Sequence, residues 1–323
     1  MLTCLLLVLC MSLQVNAQKQ ITEFLEIELN DAKVLSEAYL RPYGEMLGRT
    51  MNAGWYNVAS VHSILGFDLN FGVNISSVPS VRKTFNVSDC LSEMSPGWTL
   101  GRGSSELAPT IAGKMKNRPV IEKGANSLTL PDGINWGTMP LPTIQVGLGL
   151  PFHTDVICRF FPKVNIADYG KIGLLGFGLK HDIKGYLPVI KHLPILQTSL
   201  LLGYTRMNMN INIDYAGVQG ATDHELNVIA QGFTGRLLIG AKLPIISLYA
   251  GLGYGNSKSN FDLKGSYKVD NDTVKDPFSL DYNENTFDAN IGLRLKFGIV
   301  TLHGDYCLGA YPIISAGLGI SIR

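Results

Sequence analysis

The sequence predicts an all-β membrane protein, an antiparallel outer-membrane β-barrel of about 12 strands (about 10 to 14) behind a short helical N-terminal segment. Three observations predict it: long runs of alternating apolar and polar residues, glycine set into those runs, and an N-terminus of export type. Of the 323 residues, 35 are glycine, well above the roughly 7% of ordinary usage. Many sit inside apolar stretches such as Val146-Gly147-Leu148-Gly149-Leu150. A helix loses about 1 kcal/mol for each glycine relative to alanine. A crowded barrel wall instead uses glycine to let neighbouring chains and lumen contents approach closely. Charged residues are 16% of the chain and the formal charge is +1. Nucleic-acid binding needs clustered Lys and Arg, which the sequence does not show.

Leu5 to Leu13 form a short apolar core, and Val15-Asn16-Ala17 is a small-residue cleavage site. Residues 1–17 therefore read as a signal peptide, the run being shorter than the roughly 20 residues a spanning helix needs. Residues 18–57 read as mostly helical, with Phe24, Leu25 and Ile27, then Val34, Leu35, Ala38 and Tyr39 at helical spacing. Tyr43-Gly44-Glu45-Met46-Leu47-Gly48 breaks that pattern before Asn52. The piece is too short to fold alone. It is either a plug that threads the lumen through Leu35, Tyr39, Tyr43, Trp55 and Tyr56, or a periplasmic cap.

From residue 58 to 323 the period is two. Phe287, Ala289, Ile291, Leu293, Leu295 and Phe297 face one way, and Asp288, Asn290, Gly292, Arg294, Lys296 and Gly298 the other. Strands are expected near 58–76, 81–88, 119–130, 142–150, 153–162, 170–180, 195–214, 227–242, 245–268, 284–297, 299–308 and 312–323. Many of these are longer than the usual globular strand of about 5–6 residues. Aromatic residues gather near the run ends (Phe152, Tyr204, Tyr254, Phe297, Tyr306), where interfacial girdles belong. Turns at 298, 243–244 and 151–152 fall on the periplasmic side, with a helical turn near 182–192, while the long connections 215–226 and 269–283 fall outside.

The runs Asn52-Ala53-Gly54-Trp55-Tyr56-Asn57 and Gly176-Phe177-Gly178-Leu179-Lys180-His181-Asp182-Ile183-Lys184 carry a resemblance, continued by Leu193-Pro194 and Leu202-Gly203-Tyr204-Thr205. They resemble an uncharacterised family of bacterial outer-membrane β-barrel proteins across most of the mature chain. No activity comes with that resemblance. A helical piece ahead of a barrel is also similar in architecture to the long-chain fatty-acid outer-membrane channel family, which implies a plugged lumen and an apolar cargo.

Arg159, Arg236, Lys242, Asp288, Arg294 and Lys296 fall on faces predicted to point into the lumen. His303 and Asp305 share an inward face, and His153 and Asp155 repeat that pair on another strand. Such a set is either a wall satisfied by cross-lumen pairs or a tuned permeation path. A hydrolase would need one of these histidines beside a serine nucleophile; no catalytic residue is assigned, and the chain is expected not to be an enzyme. Cys90, Cys158 and Cys307 are an odd set without close spacing, so neither a disulfide framework nor a metal knot is expected. No cofactor motif occurs. The expected partners are outer-membrane lipid, the barrel-assembly machinery and a hydrophobic small molecule. The leading function is passive passage of a hydrophobic or small amphipathic solute through a plugged barrel. A structural or adhesive barrel acting through its outer loops is the alternative, and a lipid hydrolase comes third.

Overall fold

The computed structural model describes residues 23–166, 170–213, 224–269 and 272–322. The signal-peptide reading and the connection at 215–223 lie outside them. Ten strands of the described residues close into a barrel: β1 Phe67–Ser77, β2 Thr138–Leu150, β3 Thr154–Ile166, β4 Gly170–Asp182, β5 Leu196–Asn212, β6 Glu225–Lys242, β7 Ile246–Lys264, β8 Phe278–Phe297, β9 Val300–Leu308 and β10 Ile313–Ile322. Each pairs antiparallel with its sequence neighbours, and β1 also pairs with β10, Phe67 standing opposite Ile322.

Paired residues followed once around the wall from Phe297 return to the same strand at Asn285, a shift of twelve residues. With strands about 4.8 Å apart and residues about 3.3 Å apart along them, that shift tilts the strands by about 40° and gives a backbone radius of about 10 Å. An α-helix with its side chains is about 10–12 Å across. The barrel therefore has room for one helix, and α1, Leu29–Met51, occupies it. Phe24 and Leu25 lie with Tyr267 at the end that carries the long connections. Residues 52–66 continue without regular structure to the opposite mouth, where β1 begins.

Two expectations are corrected here. The wall has ten strands rather than about 12, and β1 starts at Phe67 rather than at residue 58. Segments 81–88 and 119–130 are not wall strands. Thr84–Asn86 pairs with Leu107–Pro109, and Val120–Lys123 pairs with Asn126–Thr129 and Thr99–Leu100. With the short helix α2, Val87–Glu93, they form an outer cap that shares a core with α1 through Val87, Ile121 and Leu128. Second, Tyr43–Gly48 does not break the helix, which runs through Pro42, Gly44 and Gly48. Gly44 lies against Tyr282, and a Cβ at Gly48 would stand 2.9 Å from that of Ser257. The wall's packing thus holds as helix a stretch whose propensity alone is poor.

The wall exchanges its two chemistries along its height. Toward the short turns, β6 to β8 present Leu237, Ile239, Leu248, Leu252, Ile291 and Leu293 outward, and Thr234, Arg236, Ser247 and Arg294 inward. This is the pattern of a lipid-facing belt around a polar lumen. Tyr204, Phe233, Tyr254, Phe287 and Tyr306 ring its outer border. The Tyr204 hydroxyl donates to Gln231 (2.8 Å) and that of Tyr254 to Asn285 (3.2 Å), so each ring sits on the belt with its polar tip beyond it. Past that ring the faces reverse. Arg206, Asn208, Asn256 and Lys258 point outward, while Met207, Val228, Leu226, Phe261 and Leu280 point inward onto α1. The outer storey is built like a water-soluble domain.

The short turns 151–153, 243–245 and 298–299 share one end with the 183–195 connection, whose 3-10 turns Lys184–Tyr186 and Ile190–His192 occupy the place of the helical turn expected near 182–192. The short-inside rule predicts that this end is periplasmic. A cysteine replacing exposed Glu28 is expected to react with a membrane-impermeant maleimide on intact cells. One replacing Lys191 should react only after the outer membrane is permeabilised. The reverse pattern would invert the barrel.

Candidate functional site

The lumen at membrane depth is the candidate site, and residues 51–62 fill it. The last turn of α1 leaves carbonyls without helical partners. Arg159, projecting inward from β3 and fully buried, reaches them. Its Nη2 donates to Ala53 O at 2.8 Å and its Nη1 to Met51 O at 3.4 Å, while Gln145 Oε1 accepts from Nε and Nη2. The guanidinium also lies 4.1 Å over the Trp55 ring. A cation at a helix C-terminus is favoured by the helix dipole, and a ring face adds cation–π attraction.

Trp55 lies flat on the wall because the wall has no side chains there. A Cβ at Gly203 would stand 2.7 Å from Trp55 Cε2, one at Gly178 2.9 Å from Cζ3, and one at Gly176 3.1 Å from Cη2. The three glycines of β4 and β5 are the shape of the indole. Below it the chain is stitched residue by residue. Gln145 Nε2 donates to Trp55 O (3.1 Å), the Tyr56 hydroxyl to Asn290, Arg294 Nη1 to Asn57 Oδ1 (3.0 Å), and Ser199 Oγ to Ala59 O (2.8 Å). His62 donates its backbone N–H to Asp155 Oδ1 (2.9 Å), and its ring pairs with Oδ2 of the same carboxylate (3.0 Å), which also holds Lys180 (3.1 Å). Above, Ser259 Oγ donates to Gly44 O (2.8 Å) and the Tyr282 hydroxyl to Glu37 O (3.1 Å).

The residues singled out from the sequence are spread over the height of the barrel. Leu35 and Tyr39 are buried in the outer storey, and Tyr43 donates to Trp136 O at 2.7 Å beneath the cap. Trp55 and Tyr56 lie at membrane depth. Arg236 and Asp288 form a two-pronged ion pair, at 2.7 and 3.0 Å. Asp305 accepts from the Tyr249 hydroxyl (3.4 Å), and Lys242 and Lys296 line the periplasmic mouth with Arg294 in a cavity of about 50 Å³. His303 borders a cavity of about 20 Å³ with Ser315, space for about one water and none for a lipid ester. The pairing of His153 with Asp155 is corrected: His153 stands exposed in the β2–β3 turn with φ 53°, and the partner of Asp155 is His62. His62, Asn57, Gln145, Ser199 and the glycine cradle were not picked out, because each is defined by a neighbour more than eighty residues away.

A larger cleft of about 280 Å³ opens on the outer side between α1 and the cap, bordered by Arg82, Cys90 and Tyr311. Behind it the buried Glu45 carboxylate accepts from the Tyr311 hydroxyl (2.7 Å) and from Arg82. Burial pushes the Cys90 thiol up to about 12, so it is no nucleophile at neutral pH. Among the described residues no group of His, Cys, Asp and Glu is arranged to hold a metal ion.

The Trp55 cradle can be tested from both sides. Trp55→Ala is expected to cost about 3–5 kcal/mol, and Gly203→Ala about 1–3 kcal/mol through overpacking. In the Trp55→Ala background, Gly203→Ala should cost nearly nothing. Unfolding midpoints in detergent for the two single variants and the double variant measure this; strict additivity would mean that the ring does not rest on Gly203.

Comparison with curated proteins finds no match. Among solved structures, the translocator domain of autotransporter NalP from Neisseria meningitidis aligns with a TM-score of 0.34 at 13% identity, covering 88% of this chain and 96% of that one. The outer membrane protease OmpT from Escherichia coli gives 0.31 at 10% identity, over 80% and 97%. The toluene transporter TbuX of Ralstonia pickettii gives 0.25 at 8%, over 85% and 93%. The sequence pattern of a family of unknown function (DUF6588) matches residues 1–322, and the chain belongs to that family.

Proposed function

We propose that this protein is a plugged passage across the outer membrane that admits a small amphipathic solute passively when the lower plug shifts. One observation carries the reading: the lumen is closed by residues 51–62 packed on inward wall side chains such as Leu201, Leu238 and Tyr249, and not by those side chains alone. Between Met51 and Ala59 that segment offers backbone carbonyls to wall donors, namely Arg159, Gln145 and Ser199. Each such bond contributes about 0.5–1.5 kcal/mol net, and a solute with polar groups can replace it. A lumen lined by Arg159, Arg236, Asp288 and Arg294 suits the amphipathic end of the solute range rather than pure hydrocarbon.

Loosening the stitches tests this. Gln145→Ala, Ser199→Ala and His62→Ala together remove about 3 kcal/mol, enough to raise the displaced-plug population by up to about a hundredfold. Swelling of vesicles in amphipathic solute should then be faster by about tenfold or more than with the parent protein. A folded triple variant that passes no more solute than protein-free vesicles sinks the proposal. A structural or adhesive barrel is the second reading, favoured by the outer storey with its own apolar core and cap. Deleting the outer hairpin formed by Ser266–Val269 and Asp272–Lys275 should then abolish surface attachment and leave permeability unchanged.

A further inference from the structure

Plug and wall do not meet evenly. Helix α1 packs on β6, β7 and β8, and more lightly on β1 and β5. The facing arc of β10 and β1 turns mostly small or polar residues inward, namely Asn70, Gly72, Asn74, Ser315, Gly317 and Gly319, with Ile313 packed on Ala53 at its outer end. Among the described residues, one cavity lies on this side of the barrel, and two others touch it from the ends, at Tyr311 and at Ser321. The outer cleft of about 280 Å³ ends at Tyr311, in the β9–β10 turn. The cavity of about 20 Å³ lies between plug and wall at Asn70, Asn74, His303 and Ser315. The cavity of about 50 Å³ opens the periplasmic mouth at Ser321, Lys242, Arg294 and Lys296.

The arc of β9, β10 and β1 holds buried polar atoms without protein partners: Asn70 Oδ1, His303 Nδ1, Thr301 Oγ1 and Ser315 Oγ. Asn70 is only 4% exposed, and it borders the middle cavity. A buried polar atom left unpaired costs about 1–3 kcal/mol, a cost that a hydrated path removes. The middle cavity admits about one water at a time. At the periplasmic mouth the cationic side chains Arg294, Lys242 and Lys296 stand together, and rings of Arg and Lys select for anions in pores.

We infer that the seam between the plug and the β9–β10–β1 arc is a hydrated path for small inorganic anions, open while the plug stays seated. This goes beyond the reading of the barrel as a gated passage and needs no movement of residues 51–62. Gly72 is the place to block it, since a Cβ there would meet Ala316 O at 3.4 Å and Thr143 Oγ1 at 3.5 Å, ordinary contacts. A larger side chain continues into the middle cavity.

The test is single-channel recording of the full-length protein under a potassium chloride gradient, with amphipathic-solute swelling measured on vesicles carrying the Gln145→Ala, Ser199→Ala and His62→Ala triple variant. The parent should show a small conductance with a reversal potential on the anion side. Gly72→Leu should cut the conductance several-fold. Lys242→Glu with Lys296→Glu, at the mouth and outside the packed lumen, should move the reversal potential toward the cation side. Unchanged gel migration with and without heating verifies folding in each case. Conductance that responds to these substitutions without solute swelling leaves the seam standing and removes the gated passage. Swelling with a conductance indifferent to both overturns the seam and leaves the passage. A folded protein that neither conducts nor swells overturns both.

Discussion

A wall of ten strands whose register shifts by twelve residues per circuit has one radius available to it, about 10 Å, and the interior follows from that number. Ordinary packing layers lie about 10 Å apart, so a helix near the axis touches the wall at normal packing distance. A narrower barrel would be filled by its own side chains, and a wider one would leave water around the helix. Here α1 fits, and where it leans on β7 and β8 the extra space comes from Gly44 and Gly48 on the helix itself. Where helix gives way to irregular chain, space comes from the wall instead, at Gly176, Gly178 and Gly203. Part of the high glycine content is therefore a record of what the lumen contains.

The same strands solve two solvation problems in sequence. Below the aromatic ring the outside is apolar and most of the inside polar, apart from Ile157, Leu201, Leu238 and Tyr249 against Trp55; above it the assignment reverses. A strand keeps period two throughout, so only the identity of the buried face changes, not the pattern. β6 reads Leu226, Val228 and Ala230 inward above the ring and Thr234 and Arg236 inward below it, with Asn227 and Ile239 as the matching outward residues. The plug obeys the same division. It is a helix that packs apolar residues such as Leu35, Tyr39 and Leu40 in the outer storey and a hydrogen-bonded irregular chain in the membrane storey.

That reversal explains what was legible in advance. Strand positions from Leu196 onward lie within a few residues of their expected bounds, apart from the outer ends of β7 and β8, since period two survives the change of face. The strand count was not legible. Segments 81–88 and 119–130 alternate like wall strands but are short pieces of a cap, and what separates them is a partner that periodicity does not name. The inward orientation of Arg236, Asp288 and Arg294 follows from parity, whereas their partners do not. Asp288 is 52 residues from Arg236, and Asn57 is 237 from Arg294. The runs that carried the family resemblance meet in space: Trp55 from the first rests on Gly176 and Gly178 of the second and Gly203 of the last.

Arg159 links these observations. Among the described residues it has no carboxylate partner; its neighbours are Met51 O at the helix end, Ala53 O just beyond the C-cap, Gln145 and the Trp55 face. A buried charge without compensation is costly, so the site is stable only if the helix ends where its carbonyls reach the guanidinium. The helix in turn has unpaired carbonyls only at its end. Each condition fixes the other, and together they set the height at which α1 stops. Trp55 follows that end by four residues, too few to reach any part of the wall except the level of Arg159, and the glycines stand at that level. The registration of the plug in the barrel is thus set by one wall arginine, and the closure of the lumen below it follows from where that arginine halts the helix.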